Sequence, residues 1–185
     1  MVHRIGCLLL TLLSSSVFSE SGLIGNNGLF GSLGAGFAPI YIEEVTTNQI
    51  LSSGATVTAL HSSLQVGGVV GNNYAVALLA DHNWYIDSDR NLYMAGLTGL
   101  GFTYLVPDFH QFYLSTGAGL ATKMVFGTQN SATGWGFLLG VGRPINDQFA
   151  LDISYEFLNL SSSTQSSGDA EAISSLQLTI AYRWY

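Results

Sequence analysis

Along residues 174–185 (SSLQLTIAYRWY), Leu176, Leu178, Ile180, Tyr182 and Trp184 fall at every second position, with Gln177, Thr179, Ala181 and Arg183 between them. Side chains of a strand alternate between faces, so this segment predicts a ribbon with one apolar and one polar side. In a soluble sheet, a last ribbon carrying exposed aromatics would be a sticky, unpaired edge. A strand that closes a barrel in a lipid bilayer has no free edge.

The same period of two predicts eight strands, at 29–42, 56–70, 74–86, 92–105, 111–125, 134–143, 149–160 and 173–184. Each is about the length a tilted strand needs to cross a bilayer, or slightly more. In the fifth, Phe112, Leu114, Thr116, Ala118, Leu120 and Met124 oppose Tyr113, Ser115, Gly117, Gly119 and Lys123. In the seventh, Phe149, Leu151, Ile153, Tyr155 and Phe157 oppose Asp152, Ser154 and Glu156.

The connections alternate in kind. Gly71-Asn72-Asn73, Pro107-Asp108 and Pro144-Ile145-Asn146-Asp147 are tight turns, whereas 43–55 and 161–172 are long and polar. Residues 87–91 make a short connection and 127–133 an intermediate one. Short turns at one end and longer loops at the other is the asymmetry of outer-membrane barrels.

Charge follows the pattern. Asp152, Glu156, Lys123 and Arg183 fall on the polar face, where facing strands can pair them inside a barrel. His82 and Arg143 fall on the apolar face near strand ends, where a lipid-facing charge costs least; a bulge near His82 would turn it inward. Tyr74, Trp84, Tyr104, Phe112, Trp135, Phe149, Tyr182 and Trp184 gather at strand ends, as an interfacial girdle requires.

Residues 1–19 read as a secretory signal peptide: His3 and Arg4, an apolar run from Ile5 to Leu13, and small residues before Glu20, with cleavage after Ser19 or Ser21. Cys7 lies too close to Arg4 for a lipoprotein signal and is an ordinary member of the apolar run. The expected mature domain, 20–185, has no cysteine for a disulfide or a thiolate metal site. Its four Lys/Arg against twelve Asp/Glu, a net charge of −8, argue against nucleic acid. After the signal no apolar run is long enough for a spanning helix, so a closed β-barrel is the expected way across a membrane.

With the Gly-rich ribbons GLTGLGFTY (96–104) and GFLLGVG (136–142) and the closing Ala181-Tyr182-Arg183-Trp184, the chain resembles the small eight-stranded outer-membrane β-barrel family of OmpA/OmpX-like and opacity-type proteins. The resemblance covers the whole mature chain. It implies an all-β, eight-stranded antiparallel up-and-down transmembrane barrel in the bacterial outer membrane, set among outer-membrane lipid and lipopolysaccharide. It further implies that the barrel-assembly machinery reads the last strand through Leu176, Leu178, Ile180, Tyr182 and Trp184. The alternation here is in register with Trp184 rather than with the final Tyr185.

Eight strands enclose a space that side chains fill, which argues against a general diffusion pore. The best catalytic constellation is His61, Ser63 and Asp81: across the Gly71–Asn73 turn Ser63 is expected opposite Asp81 and His61 opposite Asn83, all on the polar face. A hydroxyl, an imidazole and a carboxylate within reach are the residue types of a nucleophilic hydrolase, and the resembled analogue is a lipid A deacylase. The competing reading is a hydrogen-bonded network that fills the lumen.

No cofactor or metal site is expected. The glycines at 96, 99 and 101 precede no helix, and His3, His61, His82 and His110 have no ligand spacing. Glu43-Glu44 and Asp87/Asp89 read as solvated loop residues. Two functions follow: an anchored barrel presenting the loops 43–55 and 161–172 for envelope integrity, adhesion or host contact, or a lipid-modifying enzyme using His61, Ser63 and Asp81. The passage of very small solutes is a weaker third option.

Overall fold

The computed structural model describes residues 28–45, 54–71, 73–106, 112–127, 131–162 and 170–184. The expected signal segment with His3 and Cys7, the turn residues Pro107 and Asp108, His110, most of the loops 43–55 and 161–172, and Tyr185 lie outside them.

Eight strands close one antiparallel barrel in chain order: β1 (Leu29–Val45), β2 (Ala55–Gly71), β3 (Tyr74–Ile86), β4 (Leu92–Leu105), β5 (Tyr113–Val125), β6 (Ser131–Pro144), β7 (Phe149–Ser162) and β8 (Ala170–Trp184). β3 and β4 have the bounds their alternation predicts. β1, β2, β6, β7 and β8 run one to three residues beyond theirs at the loop end, because pairs such as Val45↔Ala170 and Ala132↔Ser162 extend the ladder there. β5 starts two residues later than expected.

Register fixes the tilt. Paired positions lead from Asp152 through Thr179, Gly36, His61, Asn83, Ala95, Lys123 and Ala132 back to β7 at Ser162, ten residues from the start. Ten residues of ~3.3 Å rise against eight strand spacings of ~4.8 Å give a tilt of about 40°, within the usual barrel range. The β1–β8 ladder skips Ala38 and Pro39, where proline has no amide hydrogen to give. The bulge in β2–β3 lies between Val69 and Gly71, not near His82; the register runs unbroken through His82, which therefore faces outward.

Alternation sorts the side chains. Leu33, Phe37, Leu60, Leu64, Leu78, Leu100, Leu120, Leu139, Ile153, Leu178 and Ile180 all stand on the outside and are exposed. Aromatic pairs rim this band at both ends: Tyr74 stacks on Tyr104 and Phe149 meets Tyr182 near the turns, while Trp84 stacks on Phe126 near the loops. Arg143 also faces out, one residue from the end of β6, with its guanidinium over the Phe112 ring.

The inside is layered. The loop-end half is an apolar plug built around Ile40, Leu97, Leu158, Leu160 and Ile173, all fully buried. A polar layer lies below it. At the turn end, Tyr113 donates to Asp152, whose carboxylate is 3.8 Å from the Arg183 guanidinium, and Arg183 lies 4.1 Å from the Tyr113 ring centroid. Lys123 pairs with Glu171 at 2.6 Å beside Tyr93, above the plug.

The inner faces of β4, β5 and β6 carry a patch of glycines, Gly99, Gly101, Gly117, Gly119, Gly136 and Gly140, with Leu97, Tyr113 and Leu138 as the large side chains beside it. Side chains from other strands lean over this wall. Leu79 covers Gly117 and Gly101, and a Cβ on Gly136 would sit 2.8 Å from Leu158 Cδ2. Glycine lets the eight-stranded lumen take full-length leucines at close-packed density.

Candidate functional site in the polar layer of the lumen

His61 and Ser63 on β2, Asp81 and Asn83 on β3, Ser154 and Glu156 on β7, and Ser175, Gln177 and Thr179 on β8 share the inward parity of their strands. The register pairs Ser63 with Asp81 and His61 with Asn83, as the sequence predicts. Most of the layer is out of solvent: Asn83, Glu156 and Gln177 are each 0% exposed.

A connected set of hydrogen bonds satisfies it. Asn83 Nδ2 donates to Glu156 Oε1 at 2.8 Å, which orients the amide so that its oxygen accepts from His61 Nδ1 at 3.2 Å. Gln177 Nε2 donates to Asp81 Oδ1 at 2.8 Å, and Gln177 Oε1 accepts from Ser154 Oγ at 2.6 Å. The other imidazole nitrogen, Nε2, lies 3.6 Å from Asp81 Oδ2, an ion-pair distance rather than a hydrogen bond. Glu156 also faces the Asp81 carboxyl, and its second oxygen, Oε2, is buried without a protein partner.

The layer therefore brings His61 and Asp81 together and leaves Ser63 aside. Among the described residues, no hydrogen bond joins Ser63 Oγ to the His61 ring. Ser63 instead lines a cavity of about 10 Å³ with Gln65, Leu79, Asp81, Gly101 and Ser115, room for a single water. The groups are walled off from the outside of the barrel by the strands and from the loop end by the apolar plug. Their chemistry is that of an interlocked network: two carboxyls and one imidazole held by two carboxamides.

Sequence reasoning placed Asn83 opposite His61 but missed Glu156 and Gln177 as partners of Asn83 and Asp81. A signal was available, because both have the parity of the charged face. What one strand's pattern does not carry is which residues of distant strands meet across the lumen. Among the described residues, no group of three or more His, Cys, Asp or Glu is arranged to hold a metal ion.

No protein-family model and no curated protein sequence matches the chain. Solved structures do. Ail, the attachment invasion locus protein of Yersinia pestis, is 16% identical with a TM-score of 0.57, over 85% of this chain and 99% of its own. Ail in complex with the heparin analogue sucrose octasulfate gives 17% identity and a TM-score of 0.54. Neisserial surface protein A matches at 15% identity and a TM-score of 0.55, over 85% of this chain and 96% of its own. The outer membrane protein OprG of Pseudomonas aeruginosa matches at 11% identity and 0.55, over 89% and 99%. The chain has the fold of the small eight-stranded outer-membrane barrels.

Proposed function

We propose that this protein is a bacterial outer-membrane barrel that anchors in the bilayer, keeps its lumen closed, and presents the loops 43–55 and 161–172 at the cell surface, in envelope integrity, adhesion or ligand contact. The observation that carries this reading is the inversion of faces: large apolar side chains cover the outside while carboxyls, carboxamides and an imidazole lie inside. A soluble ligand-binding barrel has the opposite arrangement. The aromatic pairs at both ends of the outer band support the same reading.

A filled lumen supports anchoring over transport. The plug of Ile40, Leu97, Leu158, Leu160 and Ile173 occupies the loop-end half, and the Tyr113–Asp152–Arg183 cluster the turn end. In the hydrolase reading, a lipid chain would have to reach His61 and Asp81 through that packing.

Contact with a sulfated polysaccharide, suggested by the Ail complex, finds little support in charge. Of the cationic side chains, Lys123 and Arg183 are engaged inside the barrel, Arg143 sits at the turn end, and Arg90, exposed in the 87–91 turn, is outnumbered there by Asp87 and Asp89. The loop end of β1 instead carries Glu43 and Glu44, so a neutral or cationic partner suits that end better. Recognition of the last strand by the barrel-assembly machinery, through Leu176, Leu178, Ile180, Tyr182 and Trp184, belongs to the same proposal; all five face outward on β8.

The test is gel mobility of the folded protein, heated and unheated, with outer-membrane fractionation. A compact, heat-modifiable band in the outer-membrane fraction is expected. A soluble periplasmic species without a mobility shift would overturn the proposal.

A further inference from the structure

His82 is an imidazole on the outer face of β3, within the apolar band, and no hydrogen bond among the described residues reaches its ring. In register with it on the same face lie Ser62 of β2, Gly96 of β4 and Thr122 of β5, a polar row flanked by Leu60, Leu64, Leu120 and Met124. The Ser62 hydroxyl is already engaged, accepting from Trp84 Nε1 at 2.9 Å. The His82 ring lies against the bare backbone of Gly96, where a Cβ would come 2.8 Å from its Cδ2.

Depth identifies the partner. Trp84, stacked on Phe126, marks the loop-end interface. His82 is two residues nearer the middle, which at ~3.4 Å per residue and a tilt of about 40° is about 5 Å below the aromatic belt. At that level a membrane offers neither water nor headgroup charge but the carbonyls that link acyl chains to their lipid. An imidazole with an N–H to donate is costly in hydrocarbon unless such an acceptor meets it.

We propose that His82, seated over Gly96, is a lipid-docking residue whose ring N–H binds the acyl-linkage carbonyl of a lipid in the leaflet at the loop end. The inference rests on the membrane reading above. The full chain is folded into vesicles of diester phosphatidylcholine or of its diether analogue, which lacks those carbonyls, and insertion is first checked by heat-modifiable mobility. Failure to insert in either overturns the membrane reading itself. In inserted protein, the ¹⁵N resonances of the His82 ring, assigned by their loss in His82→Gln, are compared between the two lipids.

A hydrogen-bonded N–H signature in diester vesicles that disappears in diether vesicles is the expected result. Its return when lipid A is added to diether vesicles assigns the same role to glycolipid acyl linkages; its absence there confines the role to glycerophospholipid. Identical resonances in both vesicles would overturn the proposal. So would a signature that follows protein-to-lipid ratio and appears with cross-linked dimers, which would assign the site to a second copy of the chain.

Discussion

Leu79 of β3 leans past β4 onto Gly117 of β5, so that a methyl group at the glycine would occupy the place of the leucine Cδ2. Gly117→Ala must displace that side chain in a close-packed interior, which costs about 1–3 kcal/mol. Urea unfolding in detergent micelles, followed by tryptophan fluorescence, should show a lower midpoint. Adding Leu79→Ala should make the glycine substitution nearly silent, because the two residues are in direct contact. An unchanged midpoint for the single variant would refute the packing described.

Asn83 is the link between His61 and Glu156. Asn83→Leu removes the donor to the Glu156 carboxyl and the acceptor for the imidazole together, and about 1–3 kcal/mol is expected for the buried groups left unsatisfied. The barrel should still close, since Asn83 contributes only its side chain to the network. Equal unfolding curves for variant and parent would mean that ordered water replaces the amide at no cost.

A charge placed on the outer face of β8 should respond to the thickness of the lipid. Leu178→Arg puts a charge on the outer face, where about 2–4 kcal/mol is expected near the bilayer midplane. In a short-chain detergent, which deforms around the residue, the loss should shrink. A barrel with its apolar side turned inward would show no such dependence on thickness. Folding yield across phospholipids of increasing chain length measures it.

The 87–91 turn gives a pH dependence outside the strands. A slight loss of hydration pushes the Asp87 carboxyl up. Hydrogen bonds from the Asn91 amide at 2.9 Å, from the Asn91 side chain at 3.2 Å, from Tyr93 and from the Asp89 amide at 2.9 Å outweigh it and hold the group below its ordinary value. The bound form of the turn is therefore the ionised one. Its advantage is fully present above the ordinary carboxylate value of about 4 and is lost as pH falls through the lowered one. Amide exchange at Asp89 and Asn91 should speed up over that acid range, relative to the intrinsic rate, and Asp87→Asn should flatten the profile.

Much of the fold was legible in the sequence because a barrel wall is a nearly one-dimensional object. Alternation in Tyr74–Ile86 and Leu92–Leu105 gives those strands to the residue, and the turn residues around Asn146 end β6 one residue after the expected position: Asn146 Oδ1 accepts from the Gln148 and Phe149 amides. The interior was less legible. Leu158 and Leu160 share the parity of Glu156 and so belong to the charged face, yet they build the apolar plug. A period of two separates inside from outside without saying at what height a polar inside gives way to an apolar one. His61 and Asp81 were found because they are diagonal neighbours within one hairpin. Glu156 and Gln177 join them only through the staggered closure of the barrel, which no single hairpin reveals.

The bare wall along β4 to β6 gives the interior a front and a back. Added atoms at Gly101, Gly117 or Gly136 meet leucines that reach in from β3 and β7, so this side tolerates no enlargement. Shortening Leu79 and Leu158 on the two flanking strands does the reverse: it uncovers a trough of peptide backbone without disturbing a single strand pairing. Any bore made through this protein, by selection or by design, would thus open as a crescent along one side rather than as a round hole down the axis.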